Sequence, residues 1–317
     1  MNRPAAETLL PLLRCPRCGA EMARGEDGYR CAGPAGHRYP SVDGQPVLVD
    51  FESSILQEAD FAARAGASAI AGRGGSGALG RVAGALLPHN AVAAPNAVRL
   101  KSLARGLSER PRILVVGGGG KGAGTDPLYD DTGVEIVAFD IYASPLTHFV
   151  ADAHRIPLAD ASVDAVWIQA VLEHVLDPWQ VVAEIHRVLR DGGVVYAETP
   201  FLQQVHEGPY DFTRFTESGH RWLFRRFEAI DSGVVMGTAS QLLWSVEHLF
   251  RGLFRSVRAG RIAALLLFWL RWFDSLIPAP YAVDAASAVF FLGRKTDEAI
   301  RPAEIVGYYQ GAHSRRA

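Results

Sequence analysis

Short apolar runs alternate with amphipathic stretches from residue 113 onward, and this alternation sets the first expectation for the fold. Ile113–Val116 is a run of branched or long apolar residues, which is typical of a buried strand. Further runs occupy 135–140, 150–153, 162–168 and 194–197. Residues 177–190 instead repeat apolar positions at helical spacing. This order predicts an α/β protein with a doubly wound sheet.

The flanking segments continue the same pattern. Helical spacing predicts one helix over 96–107, with Asn96 at its start, and another that Thr216 caps and that ends near 225. Strand six is expected over 227–236 and strand seven over 285–295, with an insertion at about 238–283 between them. Asp177 is expected to cap the helix over 177–190, because Pro178 occupies the first turn.

A glycine-rich bend follows the first strand and carries the first functional expectation. Gly117–Gly120, Gly122 and Gly124 lie directly after Val116. Glycine permits a sharp turn and lets a ligand approach the backbone. The second strand ends in Asp140, whose carboxylate can accept two hydrogen bonds from a ribose diol. The alternative for this acid is a turn or helix cap.

The order of these motifs resembles the class I S-adenosylmethionine-dependent methyltransferases, specifically the type 11 group. The glycine bend, Asp140, VLEHV at 171–175 and HRVLRDGG at 186–193 carry the resemblance, which covers about 110–230. It implies a Rossmann-like, seven-stranded methyltransferase sheet in which strand seven runs antiparallel to strand six. It also implies S-adenosylmethionine as cofactor.

The resemblance assigns cofactor contacts by position. Gly117 and Gly119 would face the methionine part, and Asp140 would bind the ribose hydroxyls. Asp152 would meet the adenine amino group. The backbone of Ala153 would lie beside the adenine. Gln169, Ala170 and His174 would line the floor of the site near the methyl donor.

The chain departs from the family pattern in the bend itself. Val115 stands where the family usually has an acid, and Lys121 replaces a usual glycine. Asp126 is a candidate for the missing carboxylate.

The N-terminal residues have metal-ligand spacing. Cys15 and Cys18 form a knuckle, and Cys31 and His37 follow. Three thiolates and an imidazole can complete a tetrahedral zinc site, which stabilises a unit too small for a large core. Residues 10–51 resemble the Trm112-like zinc ribbon, and also the ribbon of some ribosomal RNA guanine methyltransferases that use three Cys and one His. The alternative is a metal-free ribbon with buried thiols.

A polar loop after strand five is placed to meet the methyl acceptor, because ligands of such sheets lie at the carboxyl ends of the strands. His206 is the candidate base, Asp211 would orient it, and Arg214 could hold an anionic acceptor group. The alternative is an internal Asp211–Arg214 ion pair with His206 at the surface. Glu173 and His174 could also serve, or could be polar groups satisfied at a helix start.

These expectations divide the chain into four parts. A zinc-ribbon domain spans 1–51, an Ala/Gly-rich linker 52–95, the methyltransferase domain 96–295 and a polar tail 296–317. Within the insertion, 248–273 carries five Arg and no acid beside AALLLFWLRWF. It could form a lid over the acceptor, a homodimer contact or a peripheral membrane helix.

Composition narrows the choice of function. The net charge of −2 gives no overall attraction to nucleic acid, and three cysteines fit a reducing compartment. No leader and no spanning segment are apparent, so we expect a cytoplasmic protein, with membrane-peripheral binding left open. The favoured function is methyl transfer to a small-molecule or glycan- or lipid-linked acceptor. The alternatives are an RNA methyltransferase that grips RNA with the ribbon, and a non-catalytic partner-binding protein with a decayed cofactor site.

Overall fold

The structure is a computed structural model that describes residues 6–26, 28–59 and 89–313. The centre of the predicted Ala/Gly-rich linker, 60–88, lies outside these residues.

A small antiparallel sheet occupies the N-terminal part. Its strands are β1 (Met22–Gly25), β2 (Gly28–Cys31) and β3 (Arg38–Tyr39), in the order β1-β2-β3. Helix α1 (Ala6–Leu9) and a 3₁₀ turn (Leu10–Leu12) precede it. The sheet and its turns bring the three cysteines and His37 together.

The main sheet has nine strands in the order β11-β12-β10-β9-β6-β7-β8-β5-β4. The six strands from β10 to β5 in this order are all parallel to one another. Strand β12 lies between β10 and β11 and is antiparallel to both. The expected seven strands, with strand seven antiparallel to strand six, are therefore confirmed. The strand bounds are β4 (Ser41–Val42), β5 (Gln45–Leu48), β6 (Arg112–Val116), β7 (Glu135–Asp140), β8 (Phe149–Ala151), β9 (Val163–Gln169), β10 (Leu189–Pro200), β11 (Phe227–Met236) and β12 (Ala288–Lys295).

The two extra strands come from the N-terminal part of the chain. Val47 and Leu48 of β5 pair with Val150 and Ala151 of β8. Leu9, Leu13 and Tyr29 belong to the same buried cluster as the main sheet. The ribbon therefore shares both a sheet and a core with the residues that follow, whereas the sequence suggested a separate unit over 1–51.

Helices cover both faces of the sheet. Helix α2 (Ala93–Arg105) packs with Ile113 and Val115 on one face, and α4 (Pro178–Val188) packs with Leu114 and Val116 on the other, as the alternation of a strand requires. The helix bounds are α2 (Ala93–Arg105), α3 (Asp126–Tyr129), α4 (Pro178–Val188), α5 (Glu217–Leu223), α6 (Thr238–Phe254), α7 (Val257–Leu266), α8 (Ala279–Asp284) and α9 (Pro302–Tyr308).

Helix ends follow the predicted capping, with one exception. Asp177 accepts hydrogen bonds from two backbone amides of α4, and Thr216 caps α5. Asn96 is instead buried inside α2, and Asn90 accepts the amides of Val92 and Ala93 before that helix. The expected cap was wrong because three further residues N-terminal to Asn96, beginning at Ala93, also adopt helical geometry.

The insertion between β11 and β12 is helical, as expected. It consists of α6, α7, a 3₁₀ segment (Phe268–Ser275) and α8. Over the described ranges, every helix is too short or too polar to cross a bilayer. The C-terminal residues expected to form a tail contain α9, and Tyr308 contacts Ser232 of β11 through its hydroxyl.

Candidate cofactor and acceptor site

A cavity of about 310 Å³ lies at the carboxyl ends of β6, β7 and β9. Its wall includes Gly117, whose φ of 72° is in the left-handed region. A Cβ at Gly117 would lie 2.3 Å from Cγ2 of Val171. The position therefore requires glycine for both conformation and space, and the bend can bring backbone close to a ligand.

Asp140 stands at the end of β7 and lines this cavity. Its carboxylate accepts the backbone amides of Gly119 at 2.8 Å and Ile141 at 2.7 Å. Burial raises the pKa of Asp140 to about 6, and the two amides oppose that rise. Each carboxylate oxygen has a second lone pair available for a sugar hydroxyl. The buried acid and the glycine bend fit the ribose end of S-adenosylmethionine.

Asp152 and Ala153 line the same cavity from the β8 end. Ser54 donates to Oδ2 of Asp152, and the amide of His154 donates to Oδ1 at 2.9 Å. Burial alone would raise the pKa of Asp152, but its bonds with His154 and Ser54 hold that pKa below its ordinary value. The acid is thus held in place with its charge retained.

Two predicted cofactor contacts lie outside the wall of the cavity. The ring of Tyr142 covers Gly119, where a Cβ would lie 2.4 Å from the ring. The side chain of Gln169 donates to the carbonyl of Ala123 at 3.1 Å and to Glu198 at 2.9 Å. Gln169 therefore braces the outer part of the glycine bend.

Asp126, the candidate for the missing family acid, does not line the cavity and pairs with Lys121 at 2.9 Å on the surface. A buried acid does lie near the bend, at Glu198. It accepts from Gln169 and from Asn90 at 2.7 Å, and Tyr196 donates to its other oxygen. Burial raises the pKa of Glu198. Sequence reasoning missed this acid because it lies near the end of β10, far along the chain from the first strand and its glycine bend.

Glu173, His174 and His206 form a cluster at the cavity. His174 and His206 line the cavity, and Glu173 lies buried behind them. Nε2 of His174 is 3.7 Å and Nε2 of His206 is 3.8 Å from Oε1 of Glu173. Burial raises the pKa of Glu173 to about 8. Backbone bonds from Phe212 and Thr213 to the carbonyl of Glu173 fasten the polar loop to this cluster.

Asp211 and Arg214 support His206 from behind. Arg214 binds both carboxylate oxygens of Asp211, one of them at 2.9 Å. Oδ2 of Asp211 accepts the amide of His206 at 2.9 Å and lies 3.4 Å from Nδ1 of that ring. Burial opposes ionisation, but Arg214 and the His206 amide hold the pKa of Asp211 well below its usual range. The ion pair expected as the alternative is present, and His206 still faces the cavity.

The N-terminal cluster has the geometry of a closed metal site. One ligand atom from each of Cys15, Cys18, Cys31 and His37 lies within 4.8 Å of the others. Sγ of Cys15 is 3.4 Å from Nδ1 of His37, and Sγ of Cys18 is 3.3 Å from Sγ of Cys31. Three thiols and an imidazole at these separations fit a tetrahedral zinc ion.

Some cavity residues had no signal in the sequence. Ile55 and Leu56, just after the ribbon, line the wall together with Tyr142 and Tyr210. Ile55 and Leu56 lie roughly a hundred residues from Asp152, so only the pairing of β5 with β8 brings them there. Tyr142 is closer to a recognisable motif, because it follows the acid at the end of β7 by two residues.

The sheet order, the glycine bend and the acid after β7 define a class I S-adenosylmethionine-dependent methyltransferase domain. Residues 114–197 match the family model described as methyltransferase domain, of type 11, so this part of the chain contains a domain of that family. A small antiparallel sheet with a Cys and His cluster precedes that domain.

Two curated relatives are named as methyltransferases. The chain is 30% identical over 167 residues to a malonyl-[acyl-carrier protein] O-methyltransferase of Enterobacter lignolyticus, covering 50% of this chain and 65% of that protein. It is 49% identical over 43 residues to 27-O-demethylrifamycin SV methyltransferase of Amycolatopsis mediterranei, covering 14% and 16%. The chain thus spans less than two thirds of the length of these relatives.

Solved structures that resemble this chain have lower sequence identity than these relatives. One is the Burkholderia thailandensis 1,6-didemethyltoxoflavin-N1-methyltransferase with bound 1,6-didemethyltoxoflavin and S-adenosylhomocysteine, at 18% identity and a TM-score of 0.38. The match covers 66% of this chain and 80% of that one.

Proposed function

We propose that the protein transfers a methyl group from S-adenosylmethionine to a lipid-linked small molecule or glycan. The observation that carries the proposal is the cavity at the strand ends, whose wall contains both Asp140 with Gly117 and the imidazoles of His174 and His206. The buried acid and the glycine bend suit a nucleoside, and the two imidazoles suit a polar acceptor. Because the chain spans less than two thirds of the length of these curated relatives, the activity of the whole protein is part of this proposal.

The chain's own residues have distinct proposed roles. S-adenosylmethionine supplies an activated methyl group on a sulfonium, so the protein has to align the acceptor, exclude water and remove a proton. Asp140 holds the ribose, and Asp152 and Ala153 hold the adenine. His206 receives the acceptor proton at Nε2, because Asp211 and the carbonyl of Gln204 keep the Nδ1 hydrogen on the far side of the ring. Arg214 maintains the charge and position of Asp211.

The helical insertion supports a lipid-linked acceptor. Between residues 248 and 273 it has five Arg and no acid. Its large apolar side chains are exposed to an unusual extent, with Leu266 at 72% and Trp272 at 60%. Arg side chains attract anionic headgroups, and Trp and Leu insert below them. Anionic lipid is therefore the proposed partner of this surface.

The insertion also touches the acceptor loop. The side chain of Gln204 donates to Oγ of Ser245 in α6 at 3.0 Å. A membrane bound to the insertion would therefore lie near the loop that holds His206. A homodimer through the same apolar face is the competing occupant, and no observation specifically favours RNA.

Structural zinc in the ribbon is part of the proposal. The donor set and its spacing support it, and Tyr39 contacts Sγ of Cys15 at 3.1 Å, as expected for a polar group that orients a ligand. Metal analysis of the purified protein tests it, and a zinc content near zero would refute the assignment.

Two measurements test the enzymatic proposal. Calorimetric titration with S-adenosylmethionine should give saturable binding, and absence of binding at millimolar ligand would favour a decayed cofactor site. Incubation of the protein with labelled cofactor and fractionated extract should place label in the lipid-extractable fraction. Label in RNA instead would support the RNA methyltransferase alternative.

A further inference from the structure

The cluster of Glu173, His174 and His206 is built like a metal site as well as an acceptor site. Each residue offers one ligand atom, and the three atoms lie within 4.8 Å of one another. Glu173 is 1% exposed, and across the described residues no hydrogen-bond donor reaches either of its carboxylate oxygens. A buried carboxylate without donors is costly unless a cation or proton compensates it.

The histidines are oriented as metal ligands are. Nδ1 of His174 donates to the carbonyl of Tyr210 at 2.7 Å, so Nε2 of the neutral ring carries the lone pair on the side of Glu173. Nδ1 of His206 faces the carbonyl of Gln204 at 3.3 Å and Asp211 at 3.4 Å, which leaves its Nε2 toward the same oxygen. Carbonyl or carboxylate partners behind the ring are the usual support of a ligating histidine.

The spacing is close to that of a bound ion. Ligand distances of about 2.0–2.2 Å imply separations of about 3.0–3.6 Å between adjacent ligand atoms. The two separations from Oε1 of Glu173, 3.7 Å and 3.8 Å, exceed this range by only a few tenths of an ångström, and the two imidazoles offer ligand nitrogens within 4.8 Å of each other. A proton shared between His206 and Glu173 would compensate one ligand atom, whereas a divalent ion compensates all three.

We propose that this cluster binds a divalent transition-metal ion whose open positions face the cavity and take an oxygen ligand of the methyl acceptor. Two imidazoles and one carboxylate suit Mn²⁺, Fe²⁺ or Zn²⁺ rather than Ca²⁺ or Mg²⁺. The substrate class is then an acceptor with a hydroxyl or a vicinal diol. This deepens the proposed methyltransferase function and rests on it for its consequence, but ion binding itself does not require activity.

In the ion-bound protein the activating group changes. The ion lowers the pKa of the acceptor hydroxyl, and its proton leaves to solvent instead of to His206. The acceptor oxygen then attacks the methyl carbon of the sulfonium: the acceptor O–C bond forms, the S–CH₃ bond breaks, and the sulfur leaves as the neutral thioether of S-adenosylhomocysteine. Loss of His206 abolishes activity in either case, so metal dependence of the wild-type protein separates the two roles.

Mn²⁺ is the probe, because it competes poorly for the thiolates of the ribbon. Zinc-loaded protein titrated with Mn²⁺ and followed by electron paramagnetic resonance should bind one further ion per chain. Glu173→Gln and His206→Ala should each weaken that binding at least tenfold. His89→Ala, at an exposed position, is the matched control and should bind Mn²⁺ as the wild type does.

Titration with S-adenosylmethionine tests the methyltransferase function separately from the metal site. Glu173→Gln should keep cofactor affinity within about threefold, which also shows that the variant is folded. Absence of Mn²⁺ binding by the wild type, or unchanged binding by both variants, would overturn the metal site while leaving the methyltransferase proposal intact. Mn²⁺ binding without any cofactor binding would uphold the site and reject the function.

Discussion

The hydroxyl of Ser54 donates a hydrogen bond to Oδ2 of Asp152, 98 residues further along the chain. Ser54 belongs to the segment that leaves the ribbon, and Asp152 follows β8 in the main sheet. Arg14 and Pro157 join the same two regions through a backbone bond of 3.0 Å. The ribbon therefore contacts the segment that contributes Asp152 and Ala153 to the cavity wall.

We expect zinc loss to weaken cofactor binding. Cys31→Ser removes one of the four ligands, so the ribbon loses the staple that compensates its small core. Because Ile55 and Leu56 then lose their position in the cavity wall, affinity for S-adenosylmethionine should fall several-fold. Metal content and calorimetry on the same sample measure both effects. Glu21→Ala, an exposed change in the ribbon, should leave both unchanged, and full affinity in zinc-free Cys31→Ser would refute the coupling.

Asp140 should control the pH dependence of cofactor binding. Its pKa of about 6 means that the carboxyl takes up a proton as pH falls below 6, and it then loses an acceptor for the ribose. Affinity should fall by up to about tenfold per pH unit below that value. Stability has the opposite sign, because a raised acid pKa favours the fold at low pH and this contribution is lost as pH rises through about 6.

The variant Asp140→Asn isolates this effect. It should lower affinity at pH 7.5 by about 10- to 100-fold, as loss of a charged hydrogen-bond acceptor predicts. Its affinity should also become independent of pH between 5 and 7. Calorimetric titrations across that range provide the measurement, and a slope equal to that of the wild type would exclude Asp140 as the titrating group.

Glycine should be required at one position of the bend and not at another. Gly117→Ala places a Cβ against Val171 and forces an alanine into the left-handed region, which alone costs about 1–2 kcal/mol. Gly120→Ala meets nothing within 4 Å. Urea unfolding should show a loss of about 2 kcal/mol or more for the first variant and less than about 0.5 kcal/mol for the second. Equal losses would contradict the geometry of the bend.

His220 should make the fold sensitive to acid. Burial lowers its pKa to about 3, and its ring packs near those of Phe215, Phe224 and Phe291. A depressed histidine pKa contributes stability that is complete above pH 6.5 and declines as pH falls toward 3. At pH 5 the loss should be about 2 kcal/mol.

Replacement by phenylalanine tests this interpretation. His220→Phe should lose less stability than the wild type between pH 7.5 and pH 5, because the ring no longer takes up a proton on unfolding. Leu249→Ala, an exposed change in α6 that removes no titrating group, should keep the wild-type slope. Urea unfolding at the two pH values gives the comparison, and parallel slopes for wild type and His220→Phe would count against His220.

Removal of two exposed apolar side chains should release the protein from lipid. Wild-type protein should sediment with vesicles of phosphatidylglycerol and remain free with phosphatidylcholine alone, because the attraction depends on Arg. The double variant Leu266→Ala, Trp272→Ala should lose most of this binding. Trp179→Ala, which changes an exposed Trp on α4, is the matched control. Concentration-dependent dimers that the double variant abolishes, without vesicle binding, would assign the surface to a second copy.

Local patterns in the sequence were enough to predict most elements. The strands expected over 113–116 and 135–140 and the cap at Asp177 depend on neighbouring residues, and the structure confirms them, with the first strand beginning one residue earlier. Strand β10 begins at Leu189, earlier than the expected 194, because Leu189 already pairs with Val163 across a bulge. Cross-strand pairing at that point overrides the signal of Gly192 and Gly193 for a simple helix stop.

Contacts between distant segments could not be predicted in the same way. Three such contacts depend on the assembled sheet. They are the pairing of β5 with β8, the hydrogen bond of Ser54 to Asp152, and the proximity of Glu173 to His206. Residue types still identified many residues of the site, because the sequence marked both the polar loop and the motif around Glu173 as candidates for catalysis. Their mutual geometry required the fold.

The pairing of β5 with β8 also limits how the protein can be shortened. In a chain beginning after residue 51, β8 would become an exposed edge strand, because its amides and carbonyls would lose their partner β5. The side chains of Phe149, Val150 and Ala151 on this strand are fully buried in the intact protein. An exposed edge strand readily pairs with strands of other molecules. The shortened protein should therefore self-associate into aggregates, because the N-terminal segment shields this side of the sheet in the intact protein.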